Sequence, residues 1–258
     1  MIDGDVRTGG FGSDGLPSPR ALLDGTDWSA LGTARGNGSF LPTVLRRLLD
    51  ADPAVRMRAV GELEPVCHQN SFYEATLAVA LYVAAVLNDP ATEAVGHCRR
   101  IDPERDHPVR VALLEWLGSL AHDGDDESLA AGGRHFDGDF LDEYPEMRAF
   151  REHRPVFYRA VSPFLAHEDV DVRHAAVVAA LPLIEHPGLA THQDALAGHA
   201  RCLLLASTDR YNRSRCLDAL KNWGHDVTAL ETADDVRARK RDVRAGEWTG
   251  GCTEEPPF

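Results

Sequence analysis

Long apolar runs are missing from this sequence of 258 residues. The longest one, Leu77 to Leu87, has eleven residues, which is too few to cross a bilayer. The first ten residues, MIDGDVRTGG, lack the basic and apolar stretches of a secretory signal peptide. We therefore expect a cytoplasmic protein with no membrane span.

Cysteine and basic residues are also scarce. The five cysteines are scattered without a Cys-x-x-Cys pair, which is typical of reduced thiols rather than of a disulfide framework or a zinc site. Lys and Arg number 27 against 41 Asp and Glu, so the formal charge is −14. This imbalance disfavours nucleic acid and anionic lipid as partners, because both are bound mainly through cationic contacts.

Apolar residues instead recur at spacings of three and four, and strict alternation is almost absent. This pattern predicts an all-α protein without strands. Residues 1–26 are rich in Gly, Asp, Ser and Pro, and we interpret them as a flexible leader. Residues 27–245 are expected to form the helical domain, followed by a flexible tail at 246–258.

One segment of the chain recurs. Asp52–Val60 matches Asp169–Val177 at an offset of 117, His107–Leu114 is a weaker copy, and Asn212–Leu217 is a degenerate one. The offset equals three units of 39 residues. The weak copy does not lie at a multiple of 39 residues from the strong ones, and we attribute this shift to an acidic insertion at about 122–150. A second helix is expected after each of the first three copies, at Phe72–Leu87, Val156–Ala166 and Gln193–Ala206.

Charged residues recur with the repeat. Asp52 and Asp169 stand where they can cap a helix N-terminus. Arg56, Arg110 and Arg173 occupy one repeat position, and we interpret them as a structural ladder in which each arginine meets a capping acid. The alternative is a row of guanidinium groups that face a carboxylate or phosphate ligand.

The pattern Asp-Pro-x-Val-Arg-x-x-Ala-Val-x-x-Leu at Asp52–Leu63 resembles the signature of HEAT repeats. Asp27–Leu31, Cys67–Asn70 and Phe72–Thr76 are also similar to segments of actinobacterial HEAT-repeat proteins without assigned activity. The resemblance spans roughly residues 27–223. It implies a right-handed α-α superhelix, an armadillo-like solenoid of about four to five helical hairpins. It also implies a bacterial protein that binds partners, usually proteins, and no reaction.

The region 123–146 holds nine acidic residues and a single arginine. It is either a solvated insertion or a docking surface for a basic partner, and it lacks the pattern of a calcium loop. The candidate binding residues here are Asp125, Asp126, Asp137, Asp139, Asp142 and Glu143.

A second set of candidates lies where the first helical hairpin turns. His68, Gln69 and Tyr73 can cap the following helix or reach a ligand. Twelve histidines show no metal-binding spacing, and no nucleophile or phosphate-loop motif is present. We therefore expect no catalytic residue, metal or cofactor.

The preferred hypothesis is a non-catalytic protein-binding scaffold or adaptor. An immunity or regulatory protein that neutralises a basic toxin or nuclease is the first alternative. The second is a DNA-glycosylase-type enzyme on HEAT-like repeats, for which Glu115 beside Trp116, and Trp223, are the candidate residues, although the net charge opposes it. The oligomeric state is left open.

Overall fold

The computed structural model describes residues 16–97, 106–134 and 139–249. It is mostly helical, with 69% helix and 7% strand, which confirms the all-α prediction at this level. The described helices are α1 Pro19–Gly25, α2 Leu41–Arg47, α3 Pro53–Gly61, α4 Glu74–Val86, α5 Val109–Asp123, α6 Asp126–Gly133, α7 Phe140–Glu143, α8 Pro145–Glu152, α9 Arg154–Val161, α10 Val170–Leu183, α11 Gln193–Ala206, α12 Arg210–Asn222 and α13 Ala233–Thr249. In this part of the chain, no helix has the length and apolar character needed to cross a membrane.

Three antiparallel hairpins contradict the expectation that strands are absent. They pair β1 Gly32–Thr33 with β2 Gly36–Asn37, β3 Cys67–His68 with β4 Ser71–Phe72, and β5 Val95–His97 with β6 Asp106–Pro108. In the β3–β4 turn, Gln69 and Asn70 have φ of 52° and 61°, as a two-residue type I′ turn requires. Strands of two or three residues are too short to produce a readable alternation, which is why the sequence pattern missed them.

The chain divides into two compact units within α11: Met1–Leu196, unit 1, and Ala197–Phe258, unit 2. In unit 1, α5 lies against α10. A Cβ added at Gly118 would come within 2.9 Å of Ala179 Cα, so glycine is needed for this close approach. In a second part of the core, Phe150 stacks on Phe157 with ring centroids 4.8 Å apart, and it meets Phe72 in a tilted arrangement with centroids 5.4 Å apart.

The flexible leader predicted for residues 1–26 is too long. Leu16 is buried, and α1 follows Ser18, whose hydroxyl accepts a hydrogen bond from the Ala21 N–H at 3.2 Å. Trp28 Nε1 then donates to the Leu23 carbonyl at 3.1 Å, which fixes the end of α1. At the other end, α13 continues to Thr249, past the predicted start of the tail at residue 246.

Unit 2 is built mainly from α12 and α13. Cys216, Leu217 and Leu220 of α12 are buried with Ala238 of α13. Helix α12 begins after Asp209, whose carboxylate accepts from the Asn212 N–H at 2.7 Å. The degenerate repeat copy therefore has the same capped start as the stronger ones.

Candidate functional site

The predicted helix caps are confirmed. Asp52 accepts a hydrogen bond from the Ala54 N–H at 2.9 Å, and Asp169 accepts from Asp171 and Val172 at 2.8 and 3.1 Å. Each aspartate precedes its helix in an extended conformation and satisfies N–H groups that have no partner within the helix.

The repeat arginines bind main-chain carbonyls instead of the capping acids. Arg56 donates to the carbonyls of Asp50, Ala51 and Ala91, and Arg173 donates to those of His167 and Glu168. The predicted Asp–Arg pairing is therefore corrected: the aspartate serves its own helix N-terminus, and the guanidinium closes the preceding turn.

Two further arginines also donate to main-chain carbonyls, and each has an additional side-chain partner. Arg110 is 3% exposed and donates to the Leu87 carbonyl at 2.8 Å and to Thr92 Oγ1 at 3.1 Å. Arg213 is 5% exposed and donates to the carbonyls of Leu204, Ser207 and Leu230, and it also pairs with Asp235 at 2.6 Å. These buried guanidinium groups hold the fold together, so a ligand-facing row of arginines is disfavoured.

The first acids of the predicted docking surface hold the insertion in place. Asp125 is 4% exposed, accepts from the Ser128 N–H at 2.7 Å, and pairs with His122 at 2.7 Å. Asp126 pairs with Arg151 at 2.6 Å and lies 3.6 Å from Arg154. These carboxylates already have partners within the chain.

The remaining acids of this set lie further along the insertion. Asp139 accepts from the Leu141 N–H at 3.0 Å and lies 3.6 Å from Arg148, which also binds Asp142. Glu143 is exposed at the end of α7. Asp137 lies outside the described residues.

The turn candidates separate into different roles. His68 Nδ1 is paired with Glu64, while Gln69 is exposed in the β3–β4 turn. Tyr73 is the N-cap residue of α4, and its N–H donates to Thr76 Oγ1 at 2.8 Å. Of these three, Gln69 is the residue that lines a groove.

This groove, in unit 1, has a volume of about 890 Å³ and lies between α3, α5 and the β3–β4 hairpin. Met57, Val60 and Leu120 give it a buried apolar floor, and Trp116 is half-buried beside them. Its charged lining consists of the acidic side chains Glu62, Glu64, Glu115 and Asp123 and the basic side chain Arg58. The groove is thus apolar at its base and acidic along its walls.

The two acids on the α3 side of the groove hold cations of the chain itself. Glu62 binds Arg47 through both carboxylate oxygens at 2.7 and 3.2 Å. Glu64 contacts Arg35 at 3.4 Å as well as His68. These pairs fix the α3 wall.

At the α5 wall, the Cys67 thiol donates to Asp123 Oδ2 at 3.4 Å. Burial and the neighbouring Asp123 charge raise the pKa of this thiol well above its ordinary value. Both effects disfavour an anion, so Cys67 stays a protonated donor beside the Asp123 carboxylate.

Sequence reasoning missed this groove as a site. Glu115, Ser119 and Asp123 follow one another at intervals of four on a mostly apolar helix that also carries Arg110 and His122, and this interval is the signal that the sequence offers. In the sequence, Glu115 and Trp116 stand out only as candidate residues of a DNA-glycosylase-type enzyme. The third such candidate, Trp223, belongs to unit 2.

Among the described residues, no three His, Cys, Asp or Glu side chains are grouped so that they could hold a metal ion. No protein-family model matches the chain, and no curated protein or solved structure matches it. The HEAT-repeat resemblance therefore stays a prediction.

Proposed function

We propose that the protein is a non-catalytic binding module, a HEAT-like array of helical hairpins whose groove takes a basic segment of a partner protein. The observation that carries the proposal is the combination of an apolar floor with acidic walls in one groove of about 890 Å³. A volume of this order accommodates several side chains, and apolar contacts supply affinity while the acids select charge.

The charge distribution supports a basic partner. Residues 197–258 hold 10 Lys and Arg against 10 Asp and Glu, so the formal charge of −14 belongs entirely to residues 1–196. The groove lies within that acidic part of the chain. A field of this sign draws cations toward the groove and repels phosphate.

The recurring helix caps support the repeat part of the proposal. Three helices, α3, α10 and α12, begin with a capping aspartate and carry an arginine four residues after it. Each arginine donates to carbonyls that precede its helix. A shared local geometry of this kind is what repeats descended from one helical unit would retain.

The groove argues against a DNA-glycosylase-type activity. Glu115 and Trp116 do lie in it together, but four acids face a single arginine there. Such a lining repels a phosphate backbone. The immunity-protein hypothesis is a special case of the proposed binding, with the added requirement that the basic partner loses activity on binding.

The test uses random peptides displayed on phage and selected against the full chain at about 50 mM salt, where screening is weak. We expect enriched peptides to combine Lys or Arg with apolar residues. Ser119→Arg, an exposed position in the groove, should weaken their binding at least about tenfold, because it places a cation where the ligand's cation would lie.

Thr191→Arg is the matched control, since it adds the same charge at an exposed position of unit 1 that does not line the groove. It should leave binding within about twofold of the unmodified chain. Enrichment of acidic peptides, or equal binding by Ser119→Arg and Thr191→Arg, would refute the proposal.

A further inference from the structure

Helix α6 is attached to the rest of unit 1 at its N-terminal end through polar contacts. None of its eight residues is buried, so apolar burial contributes little to its attachment. Asp126 donates its N–H to Glu185 Oε2 at 2.9 Å, and its carboxylate pairs with Arg151 at 2.6 Å. The Gly124 carbonyl, just before the helix, accepts from Arg151 and Arg154, both at 2.6 Å. The start of α6 is thus held by charged side chains of α8 and α9 and by Glu185, which follows α10.

Two carboxylates share one buried guanidinium at this point. Arg154 is 1% exposed and lies 3.3 Å from Glu185 and 3.6 Å from Asp126. Asp125, which caps α6 and pairs with His122, adds a third carboxylate. Burial and the charges of the two aspartates raise the pKa of Glu185 to about 7, although the Asp126 N–H and Arg154 oppose this shift. The closed arrangement therefore favours an uncharged Glu185.

We propose that Glu185 is a proton-controlled latch, which holds the start of α6 while its carboxyl is protonated and releases the helix when the carboxyl ionises. A protonated carboxyl still accepts the Asp126 N–H through its carbonyl oxygen and leaves Arg154 to Asp126. An ionised Glu185 competes with Asp126 for Arg154, and release of the helix returns Glu185 to water. The neighbouring His186 accepts from the Gly188 N–H. None of the latch residues lines the groove, so the latch is tested separately from the proposed function.

The direction of the pH effect follows from proton binding. The closed form binds a proton at Glu185 more tightly than the open form, in which the carboxyl regains its ordinary pKa of 4.5. The closed form is therefore most favoured below about pH 4.5, and its advantage is lost as pH rises through about 7. Between about pH 5.5 and 8, the ratio of closed to open molecules should fall at least about tenfold.

Amide hydrogen exchange of the full chain, resolved by NMR, measures this ratio. An eight-residue helix without tertiary contacts is unstable in water, so release also unwinds α6 and exposes its amides. After correction for the intrinsic pH dependence of exchange, protection of the Asp126 and Leu129 amides should fall at least about tenfold from about pH 5.5 to 8. The Asn212 amide, which Asp209 caps in unit 2, is the internal control and should change less than about twofold.

Two matched variants assign the effect to Glu185. Glu185→Gln keeps an acceptor for the Asp126 N–H but cannot ionise, so α6 should stay protected across the whole pH range. Glu127→Gln removes the same charge from an exposed residue of α6, and it should retain the full loss of protection. Circular dichroism verifies the fold of both variants.

Four outcomes would overturn the latch. Protection of α6 that is already absent at about pH 5.5, or that does not fall with rising pH, contradicts the closed arrangement or its release. A fall that persists in Glu185→Gln assigns the effect to another group, such as His122 beside Asp125. If low urea removes the protection of α6 as steeply as that of the core residue Leu114, the opening is global and the helix has no latch of its own.

Discussion

The two units of this chain differ in charge and share a structural device. Unit 1 carries the entire formal charge of −14, whereas unit 2 is balanced at 10 basic and 10 acidic residues. Yet each unit contains a helix with a capping aspartate and an arginine four residues later, α10 in unit 1 and α12 in unit 2. The two units thus share the same capped helix start although their net charges differ.

The arginines of these two helices, Arg173 and Arg213, differ in their burial and in their partners. Arg173 in unit 1 is half-buried and donates to two carbonyls. Arg213 in unit 2 is 5% exposed and binds three carbonyls together with the carboxylate of Asp235. The same sequence position therefore carries a peripheral contact in one unit and a buried ion pair in the other.

The largest expected effect comes from removing the buried arginine. Arg213→Met should destabilise unit 2 by about 3–5 kcal/mol, because it leaves the Asp235 carboxylate without its guanidinium in a buried place. Arg173→Met should cost only about 1 kcal/mol, since its two carbonyls can reach water. Hydrogen exchange in increasing urea, followed separately on peptides from α10 and α12, measures both losses. Equal losses would erase the distinction between the two environments.

Helical glycines should respond in opposite directions. Gly118→Ala in unit 1 is expected to destabilise by about 1–3 kcal/mol, because the new Cβ would press on Ala179, 2.9 Å away. Gly198 in unit 2 has open space around its Cβ position and lies exposed on α11. Gly198→Ala should therefore stabilise by about 0.5–1 kcal/mol through helix propensity. Thermal unfolding of the two variants gives the signs, and a stabilising Gly118→Ala would contradict the close packing of α5 on α10.

The units should also differ in their response to pH. In unit 1, burial and the charges of Asp126 and Asp125 raise the pKa of Glu185 to about 7, against the opposing pull of the Asp126 N–H and of Arg154. In unit 2, hydrogen bonds from Arg213 hold the pKa of Asp235 far below its usual range. The folded chain thus binds a proton more tightly at Glu185, and less tightly at Asp235, than the unfolded chain does.

The signs of the two effects follow from this difference. Unit 1 should lose about 2–3 kcal/mol as pH rises from about 4.5 to 7, and Glu185→Gln should abolish that loss. The stability that Asp235 contributes should be fully present above about pH 4 and should fall in stronger acid. The Asp235→Asn variant should lack this acid-dependent fall. Urea unfolding of each variant against the unmodified chain, from pH 3 to 8, tests both signs; a Glu185 contribution that grows with pH would be inconsistent with its environment.

The sequence allowed some of this organisation to be predicted, and the limits have physical causes. The Asp52 and Asp169 caps and the helix at 193–206 follow from local spacing, which is encoded within a few residues. The partners of Arg56 were not predictable in the same way, because one of them, the Ala91 carbonyl, is 35 residues away and main-chain acceptors are the same in every residue.

The groove was even less predictable from local sequence spacing. The interval of four between Glu115, Ser119 and Asp123 was visible, but the open side of α5 depends on where α3 and the β3–β4 hairpin pack. The acids at 125 and 126 are more prominent in the sequence, but Asp125 pairs locally with His122, and Asp126 pairs with Arg151, which lies 25 residues away.

The suppressed thiol chemistry of Cys67 has a practical consequence for attaching probes. Alkylating reagents attack thiolates, so Cys67 beside Asp123 should react slowly, as should buried Cys216, whose pKa is raised to about 12 by burial. Among the cysteines that the structure describes, Cys202 is the exposed one. A maleimide dye should therefore label Cys202 ahead of Cys67 and Cys216, which would place a fluorophore on the charge-balanced unit and leave the acidic groove unmodified.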